Sequence, residues 1–231
     1  MAMNHVFVTG CYRSGTTLTD RLLASHPQAF VASQPFGPFY FAAKEAFYQA
    51  HGLQGWLPLD TLFQQGYTVE AFTHFLASFA PSQVQVDAML AKSATYQGNL
   101  ASGQEELVGQ VEAAPFIPLW AALHRALSQA HGQGYCQLAG SKEVVAEEFI
   151  PALLAAGHHV VLLLRDVRDM VVSAGAGKSE QYIGKARPVL FTMRQWRKSV
   201  AFALAYQNHP RFTLLHYEDL VKHPDAVLAR L

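Results

Sequence analysis

The chain has 231 residues, 51% of them hydrophobic and 15% charged, which is enough apolar material for a sizeable core and excludes an intrinsically disordered protein. Its 17 basic residues balance 17 acidic ones, so it lacks the broad positive field of nucleic-acid-binding or membrane-surface proteins, and any anion must be held by a local cluster. Two cysteines far apart in sequence, Cys11 and Cys136, exclude a disulfide scaffold and suit a reducing compartment.

The N-terminal residues predict a buried strand followed by a turn and a helix. His5 to Thr9 is a short apolar run rich in β-branched residues, and it ends at Gly10. Thr16 to Ser25 has helical character and stops before Pro27. We find neither a signal peptide nor an apolar run of membrane-spanning length, so a cytoplasmic location is expected.

The stretch from about 34 to 133 is rich in Phe, Tyr, Ala and Gln and contains few strand-like runs. Helices are predicted at Phe39 to Ala50, Thr68 to Phe79 and Pro115 to Ala130. We interpret this region as a helical insertion that forms a cap over a sheet within a single domain of residues 1–231.

An alternation of strands and helices follows the insertion. In chain order, the pattern predicts a strand at Tyr135 to Ala139, a helix at Glu143 to Ala156, a strand at His159 to Leu164, a helix at Pro188 to Gln207, a strand at Phe212 to His216 and a short helix from Pro224. Such alternation predicts an α/β fold with a central parallel sheet and right-handed crossovers.

The turn after the first strand has the composition of a phosphate-binding loop. It runs from Gly10 to Thr17 and places two glycines at the spacing of a P-loop. Backbone N–H groups at such a turn and at the following helix N-terminus point towards a bound anion. The usual lysine is replaced by Thr16, and the cation is Arg13 inside the loop. For the loop itself, a Ser- or Thr-capped helix after a glycine turn is the alternative. The expected fold is a P-loop-like, three-layer domain.

A second candidate anion site follows the strongest strand. Arg165 stands at the carboxyl end of that strand, where open α/β sheets bind ligands, and Ser173 follows eight residues later. An arginine and a hydroxyl together can clamp a phosphate, with Asp166 and Asp169 holding the arginines. The alternative is a surface network of Arg and Asp side chains.

These two segments together resemble the sulfotransferase family that uses 3′-phosphoadenosine 5′-phosphosulfate (PAPS). Arg13 to Thr17 resembles the family's 5′-phosphosulfate loop in its Arg-containing form, as in protein-tyrosine and many bacterial sulfotransferases. Arg165 to Ser173 resembles its 3′-phosphate motif, and His216 to Leu220 resembles a third segment whose tyrosine lies near the adenine. The implied activity is transfer of a sulfuryl group to a hydroxyl or amine acceptor, which is a small molecule or a protein side chain.

The resemblance implies roles for matched positions. Arg13 would stabilise charge on the oxygen between the phosphate and the departing sulfuryl group, and Lys142 resembles a family lysine near the transferred group, with a solvated strand-end lysine as the alternative. The donor-binding residues would be Tyr12, Arg13, Ser14, Gly15, Thr16, Thr17, Arg165, Ser173 and Tyr217. No metal is needed, since arginine supplies the cation, and the product would be adenosine 3′,5′-bisphosphate.

The general base is not assigned by the resemblance. Protein-tyrosine sulfotransferases carry a Glu where this chain has Gln34, and cytosolic members carry a His where it has Val144. Glu143 and Glu45 are candidates, with ordinary surface acids as the alternative. His51 and His74 are further candidates, with ordinary helix residues as the alternative. Family members usually continue into a loop that closes over the 3′-phosphate, so a truncated chain or weak donor binding is expected.

Two other functions compete with the sulfotransferase interpretation. A P-loop kinase or nucleotidase would use ATP and magnesium, and would carry a lysine where Thr16 stands. A non-catalytic nucleotide-binding relative would bind the donor product without turnover.

Overall fold

The computed structural model describes residues 3–52, 68–96, 99–133, 135–176 and 188–231. Its five-stranded sheet has the order β2-β3-β1-β4-β5, and every neighbouring pair is parallel. The strands are β1 (Asn4–Gly10), β2 (Ala29–Ser33), β3 (Leu138–Val144), β4 (His159–Leu164) and β5 (Phe212–His216). The predicted α/β fold with a central parallel sheet is confirmed.

The helices of the described residues connect these strands. They are α1 (Thr16–Ala24), α2 (Gly37–Ala50), α3 (Val69–Ser78), α4 (Gln83–Ala94), α5 (Phe116–Ala130), α6 (Ile150–Ala155), α7 (Val167–Ala176), α8 (Val189–Tyr206), α9 (Tyr217–Lys222) and α10 (Pro224–Leu228), with 3₁₀ turns at Glu105–Leu107 and Glu147–Phe149. Between β2 and β3 the described residues contain α2, α3, α4, α5 and one 3₁₀ turn, joined by irregular segments, while residues 53–67, 97–98 and 134 lie outside the described parts.

The sheet is buried on both faces, which makes the fold three-layered. Phe7 points into a large cluster that also contains side chains of α2, α3, α4 and α5, whereas its neighbours Val6 and Val8 point into a smaller cluster with Leu23 of α1 and Leu220 of α9. Successive side chains of a strand face opposite sides. A strand buried on both sides is therefore mostly apolar without alternation, as in the runs Val6 to Val8 of β1 and Val160 to Leu164 of β4.

One strand was not predicted, and the predicted bounds of another are wrong. Strand β2 was not predicted, although its sequence Ala-Phe-Val-Ala-Ser is mostly apolar. Strand β3 was predicted at Tyr135 to Ala139 but spans Leu138–Val144. Its second half contains Ser141, Lys142 and Glu143, which sequence alone favours as a strand end. Pairing with β1 on one side and β2 on the other keeps these polar residues in the sheet.

The helix predicted at Glu143 to Ala156 is shorter than expected. A 3₁₀ turn at Glu147–Phe149 precedes α6, which covers only Ile150–Ala155. Gly157 follows with a φ of 81°, the left-handed conformation that commonly ends helices. Helix α4 was not predicted. Across the described residues, no helix is both long and apolar enough to cross a membrane.

Candidate active site

The loop after β1 is a tight turn that leads directly into α1. Ser14 N donates to Cys11 O at 3.2 Å, and Leu18 N and Thr19 N both donate to Gly15 O at the start of α1. Gly15 has a φ of 99° and Arg13 a φ of 66°. A left-handed conformation is uncommon for a residue with a side chain, so the fold holds Arg13 in a conformation of higher energy.

The hydroxyls of this loop differ in their surroundings. Ser14 is fully buried, and its Oγ has no hydrogen-bond partner in the described structure. Thr16 is also buried, whereas Thr17 is exposed. An unpartnered buried hydroxyl is costly. Ser14 therefore suits a ligand oxygen arriving at the loop.

The two predicted anion motifs meet, although about 150 residues separate them. Arg13 Nε donates a hydrogen bond to Ser173 Oγ at 2.9 Å. Arg165 Nη1 donates to the backbone oxygen of Arg13 at 3.2 Å. The reason is topological, because β1 and β4 are parallel neighbours and their carboxyl ends lie at the same edge of the sheet.

Tyr217 completes this cluster from the end of β5. Its ring packs directly on Gly15, since a Cβ atom at that glycine would lie 2.4 Å from Tyr217 Cδ2. The guanidinium of Arg165 lies over the same ring, 4.3 Å from its centroid. Glu218 Oε1 accepts a hydrogen bond from Asp166 N at 3.0 Å. The third segment of the resemblance therefore lies against the other two.

The acids of the second motif do not hold Arg165. Asp166 pairs instead with the exposed Arg168, and this hydrogen bonding lowers the pKa of Asp166 to about 2. The Nε of Arg165 is buried and unpartnered among the described residues. The predicted surface network of Arg and Asp thus exists, but Arg165 stands apart from it and faces the loop.

Lys142 is not a solvated strand-end lysine. It lies within β3 and is 1% exposed. Its Nζ donates to Gln34 Oε1 at 3.1 Å and lies 3.8 Å from Asp20 Oδ2. Burial lowers the pKa of Lys142, opposed by the charge of Asp20.

Glu143 lies on the opposite face of β3 from Lys142, because successive residues of a strand alternate. Its side chain is buried, and Oε1 has no hydrogen-bond partner among the described residues. Burial raises the pKa of Glu143 to about 8, against the opposing effects of Lys142, a backbone hydrogen bond from Phe36, and Lys44. The interpretation of Glu143 as an ordinary surface acid is wrong.

The other candidate bases are exposed residues at or near helix surfaces. Glu45 and His74 are exposed on α2 and α3. His51 is also exposed, and its Nδ1 lies 2.7 Å from the backbone oxygen of Phe47. Val144 offers no titratable group. Among the described residues, no cluster of His, Cys, Asp and Glu has the arrangement of a metal site.

Backbone strain at this edge was not predicted from sequence. Arg13, Gln34 and Val145 have φ values of 66°, 51° and 56°, and they follow the neighbouring strands β1, β2 and β3. Left-handed conformations are strongly disfavoured for a β-branched residue such as Val145, and such strain tends to gather at functional sites. No local sequence signal marks these positions.

Two residues of α8 contact the cluster and were also missed. Cys11 Sγ donates to Gln195 Oε1 at 3.8 Å, and Trp196 Nε1 donates to the backbone oxygen of Arg165 at 3.0 Å. The sequence predicted this helix but not the face that meets the loops.

The sequence matches the model of a sulfotransferase family over residues 5–231. No curated protein sequence matches the chain significantly. Among solved structures, a sulfotransferase domain from the curacin biosynthetic pathway is similar, with a TM-score of 0.55 and 16% identity over 99% of this chain and 72% of that one. The sulfotransferase domain of the Synechococcus PCC 7002 olefin synthase gives a TM-score of 0.52 and 18% identity over 99% of this chain and 71% of that one. At such identities the structural likeness concerns the fold.

Proposed function

The chain belongs to the sulfotransferase family, and from this premise we propose that it transfers a sulfuryl group from PAPS to a hydroxyl or amine acceptor. The observation that carries the proposal is the direct contact between the two anion motifs, Arg13 with Ser173 and Arg165 with the backbone of Arg13. A nucleotide with phosphates on both sides of its ribose needs two adjoining anion sites, and these residues supply them.

The unpartnered polar atoms fit such a donor. Ser14 Oγ and the loop N–H groups would hold the 5′-phosphate, together with Tyr12, Gly15, Thr16 and Thr17 in the same segment. Arg165 Nε, also unpartnered, would bind the 3′-phosphate together with Ser173. Tyr217, which contacts both Gly15 and Arg165, would lie near the adenine.

The reaction would be an in-line displacement at sulfur. The acceptor oxygen or nitrogen forms the new bond to sulfur as the bond between sulfur and the 5′-phosphate oxygen breaks, and adenosine 3′,5′-bisphosphate leaves. Arg13 and the loop N–H groups would stabilise the charge that develops on the leaving oxygen, an effect worth about 2.7–4 kcal/mol for a single well-placed donor. Lys142 would add positive charge near the transferred group.

Glu143 would accept the proton that the acceptor loses. Its unpartnered Oε1 and its pKa of about 8 mean that the carboxylate form accumulates as pH rises towards 8. We therefore expect kcat to rise over the same range. Replacing Glu143 with Gln should lower kcat by about 10²–10⁴-fold, the usual contribution of general acid–base catalysis, and should abolish that rise.

Thermal shift separates this function from its competitors. We expect adenosine 3′,5′-bisphosphate to stabilise the protein more than ADP with or without magnesium, and Arg165→Ala to remove the difference. Arg168→Ala is the matched control, because Arg168 belongs to the same motif but its side chain is 86% exposed. Equal stabilisation by ADP with magnesium would favour a P-loop kinase or nucleotidase instead.

Turnover separates an enzyme from a non-catalytic binding protein. The assay follows formation of adenosine 3′,5′-bisphosphate from PAPS in the presence of a panel of phenols, alcohols and amines. Arg13→Ala should remove turnover while largely retaining product binding. Binding of the product without turnover with any acceptor would point to the non-catalytic alternative.

A further inference from the structure

Helix α8 touches both anion motifs through two consecutive residues. Gln195 Oε1 accepts a hydrogen bond from Cys11, the residue that opens the loop after β1. Trp196 Nε1 donates to the backbone oxygen of Arg165, at the end of β4. One rigid helix therefore contacts the backbone or side chain of each motif, and the distance between these contacts is fixed by the helix.

The same helix is anchored by a buried charged cluster three residues further on. Lys198 Nζ lies 3.0 Å from Glu147 Oε2 and also pairs with Glu148, while Ser199 Oγ donates to Glu147. Glu148 in turn pairs with Lys44 of α2. None of these charged side chains is more than 5% exposed.

The position of this cluster matters more than its energy. Desolvation of buried ions roughly cancels their attraction, so such a cluster seldom adds net stability. Its pairs are instead directional, and they connect α8 and α2 to the turn that follows β3. That turn begins beside Val145, whose N–H donates to Gly10 O at the base of the phosphate loop. The cluster therefore fixes α8 relative to the strand ends that carry the site.

We propose that Gln195 and Trp196 are positioning residues, which set the separation of the two phosphate pockets, and that Lys198 and Ser199 fix the helix that carries them. This inference rests on the proposed function. A donor phosphorylated at both ends of its ribose binds tightly only if both pockets stand at the right distance before it arrives. Trp196 would act directly on the 3′-phosphate pocket through Arg165, and on the 5′ loop only indirectly, through the bond from Arg165 to the backbone oxygen of Arg13. Gln195 would act on the 5′ loop, which would bind the 5′-phosphate that AMP and adenosine 3′,5′-bisphosphate both carry.

The test uses two ligands that differ only in the 3′-phosphate. Dissociation constants of adenosine 3′,5′-bisphosphate and of AMP are measured by calorimetry for the wild type and for Trp196→Phe, which keeps an aromatic ring but removes the N–H donor. We expect Trp196→Phe to raise the dissociation constant of the bisphosphate by about three- to tenfold, the effect of losing one hydrogen bond. The dissociation constant of AMP should change by less than about twofold.

Gln195→Leu gives the complementary pattern. It removes the acceptor for Cys11 while keeping a side chain of similar size, so both ligands should weaken by a similar factor. Leu204→Gln is the matched control on the same helix, because Leu204 is 65% exposed. It should change neither constant.

The outcomes distinguish this inference from the proposed function. If the wild type does not prefer the bisphosphate over AMP, the proposed function fails. The positioning role is wrong if the wild type prefers the bisphosphate but Trp196→Phe changes neither dissociation constant. It is also wrong if Trp196→Phe raises both dissociation constants by the same factor. Thermal unfolding of each variant shows whether a loss of affinity for both ligands reflects damage to the fold.

Discussion

Replacing Gly15 with Ala tests how tightly the third segment packs on the phosphate loop. Gly15 has a φ of 99°, and a Cβ atom there would lie 2.4 Å from Cδ2 and 3.0 Å from Cε2 of Tyr217. Contacts this short do not occur between real atoms, so the ring must move. The substitution therefore combines backbone strain with the displacement of Tyr217 from its place beneath Arg165.

The two costs can be estimated separately. An L-residue in a left-handed conformation costs about 1–2 kcal/mol. Loss of the contact between the Arg165 guanidinium and the Tyr217 ring costs about 0.5–1 kcal/mol for a partly exposed pair. Gly15→Ala should therefore reduce the free energy of unfolding by about 1.5–3 kcal/mol in total, from the sum of these terms.

Urea unfolding with a double-mutant cycle measures the second cost by itself. In a Tyr217→Ala background the ring is already absent, so Gly15→Ala should cost only the backbone strain. Gly103→Ala is the matched control for strain, because Gly103 has a φ of 90° and its added Cβ would meet nothing closer than 3.5 Å. Gly103→Ala should reduce the free energy of unfolding by about as much as Gly15→Ala does in the Tyr217→Ala background.

Strict additivity of Gly15→Ala and Tyr217→Ala would refute the packing of the tyrosine on the loop. So would a Gly103→Ala variant as unstable as Gly15→Ala in the wild-type background. Either result would place the ring elsewhere and would remove Tyr217 from the proposed adenine site.

Three further predictions concern buried charge. Burial lowers the pKa of His124 to about 3 and of His158 to about 4; the unfolded chain then binds protons that the native state does not, so stability should fall as pH drops below about 6.5. The urea concentration at the midpoint of unfolding, measured at several pH values, should fall less towards acid pH in His158→Gln than in the wild type. Glu143 has the opposite sign: its native pKa of about 8 exceeds the ordinary 4.5, so its contribution to stability is complete below about pH 4.5 and is lost as pH rises through about 8. Glu143→Gln should flatten that alkaline loss, and an unchanged slope would contradict the assignment. Lys198→Met removes the cation that Glu147 shares with Glu148, which keeps Lys44 as a partner, and should cost about 3–5 kcal/mol in urea unfolding. Arg197→Met at the neighbouring exposed position should stay within about 0.5 kcal/mol; equal effects would show that the buried pairs contribute little.

The motifs were predictable because their signals are local. A glycine-rich turn after an apolar strand and an arginine at the end of another are each visible in a few consecutive residues. Parallel strands bring their carboxyl ends to one edge of the sheet, which is why the two motifs lie together. Arg13 contacts Ser173, and Arg165 contacts the backbone of Arg13.

Lys142 and Glu143 show where prediction from sequence fails. Two consecutive charged residues look like the solvated end of a strand, and their charge gives no sign of burial. Pairing of β3 with strands on both sides carries them into the interior, on opposite faces. The same holds for Gln195 and Lys198 of α8. A helical pattern predicts that this helix forms, but it does not predict that these side chains contact Cys11 and Glu147.

The sequence by itself determined the α/β class, most of the strands and helices, and the two anion motifs, because hydrophobic periodicity and turn composition act over short stretches of chain. Only the tertiary structure decided which polar residues are buried, which backbone positions are strained and which helix connects the two motifs. These properties depend on contacts between segments distant in sequence. Their energies come from desolvation and from pairing across the sheet, which no local pattern records.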